Sequence, residues 1–509
     1  MTVSPSEPAL ATGADAIVGH WLDGAEITTA RRFGEVFDPA TGVVQRRVAF
    51  ADIEDVDRAV RSARTAFESW SQTSLARRTA VLFRFRQLLV EHADELARIV
   101  TCEHGKTVDD AAGELQRGLE VVEFACGLAH LLKGEASEQI STLVDSTSYR
   151  QPLGVAVGIT PFNFPSMVPL WMFPISLACG NAFILKPSER DPSASLFLAR
   201  LVAEAGLPAG VLSVIQGDRE AVDALLTHPG VDAVSFVGST PIARHVFETG
   251  TAHGKRVQAL GGAKNHAIVM PDADLETAAD AVASAAFGSA GQRCMAISTV
   301  VAVGRDTGDA LVREVVERGH ELVVGPGSHA DSQMGPLVTA QARARVADYI
   351  ERGERDGATV ALDGRERFAE DEPGFFIGPS VLDDVTTEMD VYRDEVFGPL
   401  LIVVRAESFE QALEIVNSNP YGNGAAIFTN DGGVAREFRS RVTAGMVGIN
   451  VPIPVPTAPF SFGGWKDSLF GDLHVYGREG VLFNTRAKVV TERWPQTRST
   501  VDYGFPSHE

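Results

Sequence analysis

Cysteine is scarce: Cys102, Cys126, Cys179 and Cys294 are the four thiols in 509 residues, with no CxxC pair among them. A disulfide framework and a structural metal site are therefore not expected, and a reducing compartment fits. Positive charge is also in deficit, 45 Lys and Arg against 67 Asp and Glu, for a formal net charge of −22. With no local basic cluster, such a chain predicts no nucleic-acid partner and no binding to an anionic membrane. The first Lys or Arg is Arg31, so the start of the chain has neither the basic opening of a secretory signal nor an Arg-rich transit sequence, and a cytoplasmic location is expected. Long apolar runs are missing too. The best window, residues 167–185, holds Pro169, Pro174, Gly180 and Asn181, so it reads as a buried helix, a turn and a strand rather than a membrane span. Finally, no strand-like segment is followed by GxGxxG, the usual dinucleotide fingerprint.

What is present is apolar surface: a 45% hydrophobic share against 22% charged residues supports large cores in a globular chain of about two to four structural units. From Glu54 to Leu132 the pattern is helical, and Leu115, Leu119, Val122, Cys126 and Ala129 recur at spacings that make one apolar stripe. From Val155 it changes. β-Branched runs at 155–160, 182–185, 211–215, 233–237 and 257–260 alternate with helical windows at 166–179, 192–205, 219–227 and 241–253. Such alternation predicts parallel βαβ units in a doubly wound sheet, with the strand order open. A second set follows Gly261-Gly262: helix 275–287, strand 298–303, helices 308–317 and 339–351, strand 400–404, helix 409–417 and strand 425–429. Residues 149–152 and 486–494 read as strand-like pieces outside both sets, a protruding ribbon. Residues 325–327 and 451–459 read as loops.

Several residues stand where such a sheet takes ligands. The string SFVGSTP (235–241) reads as a strand, a tight turn with a hydroxyl cap and Pro241 at the first helical position, and the free N–H groups of that helix start suit a phosphate; an ordinary capped helix is the alternative. Lys186 ends a strand, with Glu189 three residues on. The pair could grip ribose hydroxyls or could be a solvated ion pair, and a carboxylate there disfavours the 2′-phosphate of NADP. Cys294, in SAGQRCM, is a loop thiol beside a cation and so a candidate nucleophile, whereas the other three cysteines lie in apolar helical windows and read as inert core. Asn163, in TPFNFP, either donates its amide to a developing oxyanion or bonds its own turn.

The strings TPFNFP, LKPSE, SFVGSTP, LGG, GQRC and EVFGPL, in this order, resemble the aldehyde dehydrogenase superfamily over nearly the whole chain. More narrowly, KPSERDPSAS, ALGGAKNHAIVMPDADL, GQRCMAIS, NVPIPVP and FGGWKDSLFGDLHVYG are similar to its CoA-acylating methylmalonate-semialdehyde dehydrogenases. The resemblance implies an α/β fold with a Rossmann-like NAD-binding domain (1–133 and 153–260), an α/β catalytic domain (261–450), an oligomerisation ribbon (134–152 and 484–500) and a pocket loop returning to the NAD-binding domain (451–483). It implies a homotetramer joined through the ribbon.

By the same resemblance Cys294 is the nucleophile and Asn163 the oxyanion amide. Lys186, Glu189, Arg190 and Ser239 fall on adenosine and pyrophosphate positions, and Thr160, Phe162, Gly261, Glu395 and Phe397 surround the nicotinamide end. Arg117 and Arg293 correspond to arginines that bind a substrate carboxylate; Arg117 lies off the apolar stripe, where solvation is the alternative. Phe462 lines the aldehyde pocket or packs in the core. NAD and coenzyme A are the implied cofactor and co-substrate, with no metal, and valine or inositol breakdown are the implied settings. Hydrolytic members carry Glu immediately before Leu-Gly-Gly, where this chain has Ala259. Without that base, water attack on a thioester is slow, which favours CoA as acyl acceptor. The implied reaction converts methylmalonate semialdehyde to propionyl-CoA and malonate semialdehyde to acetyl-CoA. The alternatives are hydrolysis to the free acid and a non-catalytic NAD-binding descendant.

Overall fold

Helix α1 (Ile53–Trp70) starts at Asp52, whose carboxylate accepts from the Glu54 and Asp55 amides while Asp55 accepts from the Asp52 amide. This reciprocal cap satisfies donors that the first helical turn leaves free. Helices α2 (Leu75–Glu91), α3 (Ala93–His104) and α4 (Val108–Cys126) follow. In α4 the side chains of Leu115, Leu119, Val122 and Cys126 are buried, as the apolar stripe predicts. Ala129 does not belong to it: α4 ends at Cys126 and Ala129 is exposed in a separate short turn. The computed structural model describes residues 13, 15–368 and 372–494.

An eight-stranded sheet runs in the order Leu469–Phe470, Arg256–Leu260, Ala233–Val237, Val155–Ile159, Ala182–Lys186, Leu212–Val214, His20–Leu22 and Ala25–Ile27. Its five central strands are parallel, and antiparallel strands close both edges. The crossovers are α5 (Met167–Cys179), α6 (Ser193–Glu204), α7 (Arg219–Thr227) and α8 (Thr240–Ala252). From Val155–Ile159 the chain winds first to one side and then to the other, so a crevice opens above the C-terminal ends of these strands, where open α/β sheets bind ligands. Every residue of α5 is buried, and Gly180 ends it with φ +96° before the next strand, which is the helix, turn and strand read from the sequence. Among the described residues no helix is long and apolar enough to cross a membrane.

At Gly261–Lys264 the chain leaves this sheet for another of seven strands, ordered Thr359–Leu362, Ser380–Asp383, Leu400–Ala406, Ile297–Val303, Asn265–Val269, Gly424–Phe428 and Met446–Ile449. All neighbours are parallel except the first pair. Helix α9 (Leu275–Phe287) begins and ends where the sequence pattern places it. The strands at 265–269, 380–383 and 446–449 are not apparent in the sequence. They are only four or five residues long, and the first opens with Asn265 and His266, polar residues that find buried partners here.

The ribbon is a three-stranded antiparallel sheet of Ala136–Ser141, Val144–Pro152 and Thr485–Arg493, with Thr485 opposite Pro152. Its middle strand starts five residues before the expected 149–152, at Val144. Of the expected parts, residues 1–12, 14, 369–371 and 495–500 lie outside the described residues. A small sheet of Ile17–Val18, Arg32–Asp38 and Val43–Phe50 was not expected from the sequence.

Candidate active site

Cys294 sits in a loop that local preference alone would not hold. Ser289, Ala290 and Gly291 are all left-handed, at φ of +53°, +52° and +67°, a conformation that strains the two non-glycine residues and is typical of functional sites. A Cβ on Gly291 would come within 2.1 Å of the Gly398 carbonyl oxygen, so only glycine fits. Tertiary bonds hold the loop. Asp110 of α4 accepts from the Ser289 amide at 3.1 Å and is ion-paired with Arg293. Asn265 and Asn423 donate their side-chain amides to the Cys294 carbonyl at 2.9 and 3.0 Å.

Two cavities meet at Cys294. One, of about 310 Å³, brings Cys294 together with Arg117, Arg293, Phe462, Trp171 and Lys106. Phe462 both lines this cavity and packs in the core, its ring 4.7 Å from Trp171. The other is a pocket of about 20 Å³ where Cys294 meets Glu395, Phe397 and Lys264, about the room one water needs.

The sequence suggests an electropositive setting for Cys294, and the structure differs. Arg293 is matched by Asp110, and Arg117 is matched by Glu120 at 3.1 Å. Burial and the nearby Glu395 carboxylate push the Cys294 thiol up to about 12, because both disfavour a thiolate. Glu395 is itself raised to about 7, chiefly by burial, although its Oε1 accepts from the Ala263 amide at 2.9 Å. Lys264 is lowered to about 7 by burial, its Nζ donating to the carbonyls of Val391 and Asp394 at 2.6 and 2.7 Å.

Cys126 and Cys179 are buried, with thiols pushed up to about 11 and 12 by desolvation. Cys102 is exposed, its thiol donating to Gln45 Oε1 at 3.0 Å. The inert-core reading fails for it because it lies on the outer side of α3.

Asn163 is buried but lines neither cavity. Its link to the site is its carbonyl, which accepts from Lys106 Nζ at 2.7 Å. Lys106 also pairs at 2.7 Å with Glu114, and both are fully buried. Glu114 in turn accepts from the amides of Ser166 and Met167 at 2.7 and 3.0 Å. This network fixes the TPFNFP loop and the start of α5. Neither Lys106 nor Glu114 carries a sequence signal, and nor do Asp110, Asn265 and Asn423, since their partners are remote in the chain.

The remaining candidates lie along the crevice. Thr160, Lys186, Ser239 and Gly261 stand at or just beyond the C-terminal ends of neighbouring parallel strands. Lys186 and Glu189 pair at 3.3 Å. Phe162 is held by the Arg190 guanidinium at 5.0 Å and by the Phe397 ring edge at 5.8 Å. Gly261 leaves no room for a side chain, since a Cβ there would meet the Asp467 carbonyl oxygen at 2.7 Å.

The helix opens at Thr240, one residue before the expected Pro241, so Ser239 takes the cap position; it is exposed and makes no side-chain hydrogen bond, and the expected hydroxyl cap is not made. The first N–H groups of α8 thus keep free of a side-chain cap. The buried Thr160 hydroxyl has no partner. Both features fit a dinucleotide, which would bring phosphates to the helix start and polar atoms to Thr160. Ala259 is fully buried in its strand and lines neither cavity, so no base stands at that position.

A loop thiol just after a left-handed stretch, at the junction of two α/β sheets and beside their crevice, fits one class: the chain belongs to the aldehyde dehydrogenase family, whose model matches residues 27–490. The α/β architecture that the sequence resemblance implied is the one found. Within the family it is similar to malonate-semialdehyde dehydrogenases. One from Pseudomonas aeruginosa is 53% identical over 491 residues, covering 96% of this chain and 99% of that one. A second, from Geobacillus thermodenitrificans, is 50% identical over 478 residues, 94% and 98% of the two chains. Among solved structures, a Sinorhizobium meliloti protein complexed with NAD and named as a methylmalonate-semialdehyde dehydrogenase matches with a TM-score of 0.94 at 52% identity, covering 95% of this chain and 99% of that one. The methylmalonate-semialdehyde dehydrogenase of Oceanimonas doudoroffii gives 0.93 at 52% identity, with 94% and 99% covered.

Proposed function

We propose that this chain is an NAD-dependent, CoA-acylating semialdehyde dehydrogenase that turns malonate semialdehyde into acetyl-CoA and methylmalonate semialdehyde into propionyl-CoA. The observation that carries this reading is the one cavity whose lining includes Cys294 together with two arginines, Arg117 and Arg293. A nucleophile and paired guanidinium groups in one chamber suit an aldehyde that also bears a carboxylate.

Lys186, Glu189, Arg190 and Ser239 would hold the adenosine and pyrophosphate of NAD, and Thr160, Phe162, Gly261, Glu395 and Phe397 its nicotinamide end. When bound, NAD supplies the hydride acceptor. The Cys294 sulfur adds to the aldehyde carbon, and the oxyanion so formed would take hydrogen bonds from the Cys294 N–H and, by the family resemblance, from the Asn163 amide, which in this structure lines neither cavity. Lys106 holds the Asn163 carbonyl, and through it the loop that carries the amide. Arg117 and Arg293 hold the substrate carboxylate. The acyl group left on Cys294 as a thioester loses carbon dioxide, the resulting enolate oxygen occupies the same oxyanion site, and a proton from solvent at the α carbon restores the thioester carbonyl. The thiolate of coenzyme A then displaces Cys294, which requires no carboxylate base. Assembly into a homotetramer through the ribbon, whose Tyr149 and Val489 are exposed, belongs to the same reading.

A second reading, hydrolysis to the free acid, is favoured by one feature: Glu395, with a carboxyl near 7, shares a water-sized pocket with Cys294. The two are separated by following NADH formation from malonate semialdehyde with and without CoA while acetyl-CoA is quantified by mass spectrometry. Steady turnover only with CoA and stoichiometric acetyl-CoA are expected. Steady NADH without CoA, with free acid as product, would replace the first reading by the second.

A further inference from the structure

Asp110 has no part in the chemistry described so far, yet it touches both the catalytic loop and the cation offered to the substrate. It sits in the first turn of α4, where its backbone amide donates to Thr107 Oγ1 at 3.1 Å, so its position is fixed by the helix cap. One carboxylate oxygen is ion-paired with Arg293 Nη2, and the other accepts from the Ser289 amide at 3.1 Å. Arg293 has little freedom to leave. Its guanidinium lies so close to Gly288 that a Cβ there would come within 2.4 Å of Nη1. Both side chains of the pair are about four-fifths buried, at 21% and 22% exposure, and both line the cavity that holds Cys294.

A substrate carboxylate that reaches Arg293 therefore meets a guanidinium already paired with an anion. Two carboxylates on one cation repel each other, and the repulsion is poorly screened away from bulk water. Carbon dioxide is neutral, so its departure relieves the crowding and leaves Arg293 with Asp110 instead of leaving a buried cation unpaired. Resting on the reading above, we propose that Asp110 is a positioning residue for decarboxylation: by holding Arg293 in a pair that the substrate must share, it weakens the grip on the carboxylate and favours its loss. In that step the bond between the carboxylate carbon and the α carbon breaks. Its electron pair stays on the acyl fragment as the thioester enolate, carbon dioxide leaves, and a proton from solvent completes the methyl or ethyl group. No oxidant or reductant is consumed.

The test compares the full-length wild type with Asp110→Asn, which keeps an acceptor for Ser289 and loses the charge, and with Asp110→Glu, which keeps the charge. Carbon dioxide per NADH, the CoA thioesters formed from malonate semialdehyde, and KM for malonate semialdehyde and for propanal are measured. In Asp110→Asn, KM for the semialdehyde falls about fivefold or more relative to that for propanal, and about a tenth or more of the thioester retains its carboxylate as malonyl-CoA. Asp110→Glu restores acetyl-CoA as the product. Should the asparagine variant not fold, Asp110→Gln serves as the neutral replacement. A neutral variant with one carbon dioxide per NADH and an unchanged KM ratio overturns the role of Asp110 while the acylating reading stands; malonyl-CoA from the glutamate variant overturns it as well. A wild type that makes no acetyl-CoA removes the reading itself, and the proposal with it.

Discussion

Lys106 and Glu114 form a fully buried ion pair at 2.7 Å, and Lys106→Met tests whether that pair shapes the oxyanion site. Removing one partner of a buried pair typically costs about 3–5 kcal/mol, because the other charge is left uncompensated. Here Glu114 keeps donors from the Ser166 amide, the Ser166 hydroxyl and the Met167 amide, at 2.7 to 3.0 Å. The low end, about 3 kcal/mol, is therefore expected, which corresponds to a fall in melting temperature of about 6 °C at the low end of values for large domains. Adding Glu114→Gln removes the stranded charge while leaving an oxygen for the Ser166 amide, so the double variant regains at least about half of that loss. Activity does not follow stability. Both variants lack the ammonium that holds the Asn163 carbonyl, so kcat falls about 10- to 100-fold in each, short of the loss of a complete oxyanion donor. Thermal denaturation and steady-state NADH formation measure the two effects separately. A single variant that melts within about 1 °C of wild type, or a double variant that recovers full kcat, would refute this account of the pair.

Replacing Cys294 by Ala abolishes NADH formation and leaves NAD binding intact by calorimetry; residual CoA-dependent turnover would exclude Cys294 as nucleophile. If Arg117 holds the substrate carboxylate as proposed, Arg117→Leu raises KM for malonate semialdehyde about tenfold or more over that for propanal, whereas equal effects on both aldehydes would remove Arg117 from the carboxylate site. Since the free thiol of Cys294 is pushed up to about 12, the thiolate fraction, and with it alkylation of the enzyme without NAD, rises about tenfold per pH unit through pH 7–10. Glu395→Gln removes the like charge and shifts that curve to lower pH, so alkylation at pH 8 quickens; a wild-type rate that levels off near pH 8.5 contradicts the assigned environment.

Much of the fold was legible because its signals are local. The helical stripe of α4, the breakers Pro169, Pro174 and Gly180, and the alternation of β-branched runs with helical windows each depend on residues a few positions apart. So do the bounds of α9. The short strands 265–269, 380–383 and 446–449 escaped because four or five residues carry too little periodicity, and their pairing is with remote segments. Local reading also failed where a side chain's surroundings decide its state. Cys102 has the apolar flanks of a core residue and faces outward, and Ser239 stands at a helix start without making the bond for which such residues are favoured.

The sequence alone determined the α/β architecture and, through its motifs, the family, and it singled out the loop thiol and the strand ends that make the candidate site, because these follow from short-range periodicity and from residue types at fixed spacing. Strand order, the meeting of Cys294 with Arg117 and Glu395 across two sheets, and the buried partners Lys106–Glu114 and Asp110–Arg293 were decided only by the tertiary structure. For Asp110 the physical reason is distance along the chain, 183 residues from Arg293; Lys106 and Glu114 lie only 8 residues apart, and it is their burial that only the fold decides, since how a charge behaves depends on what else is buried beside it.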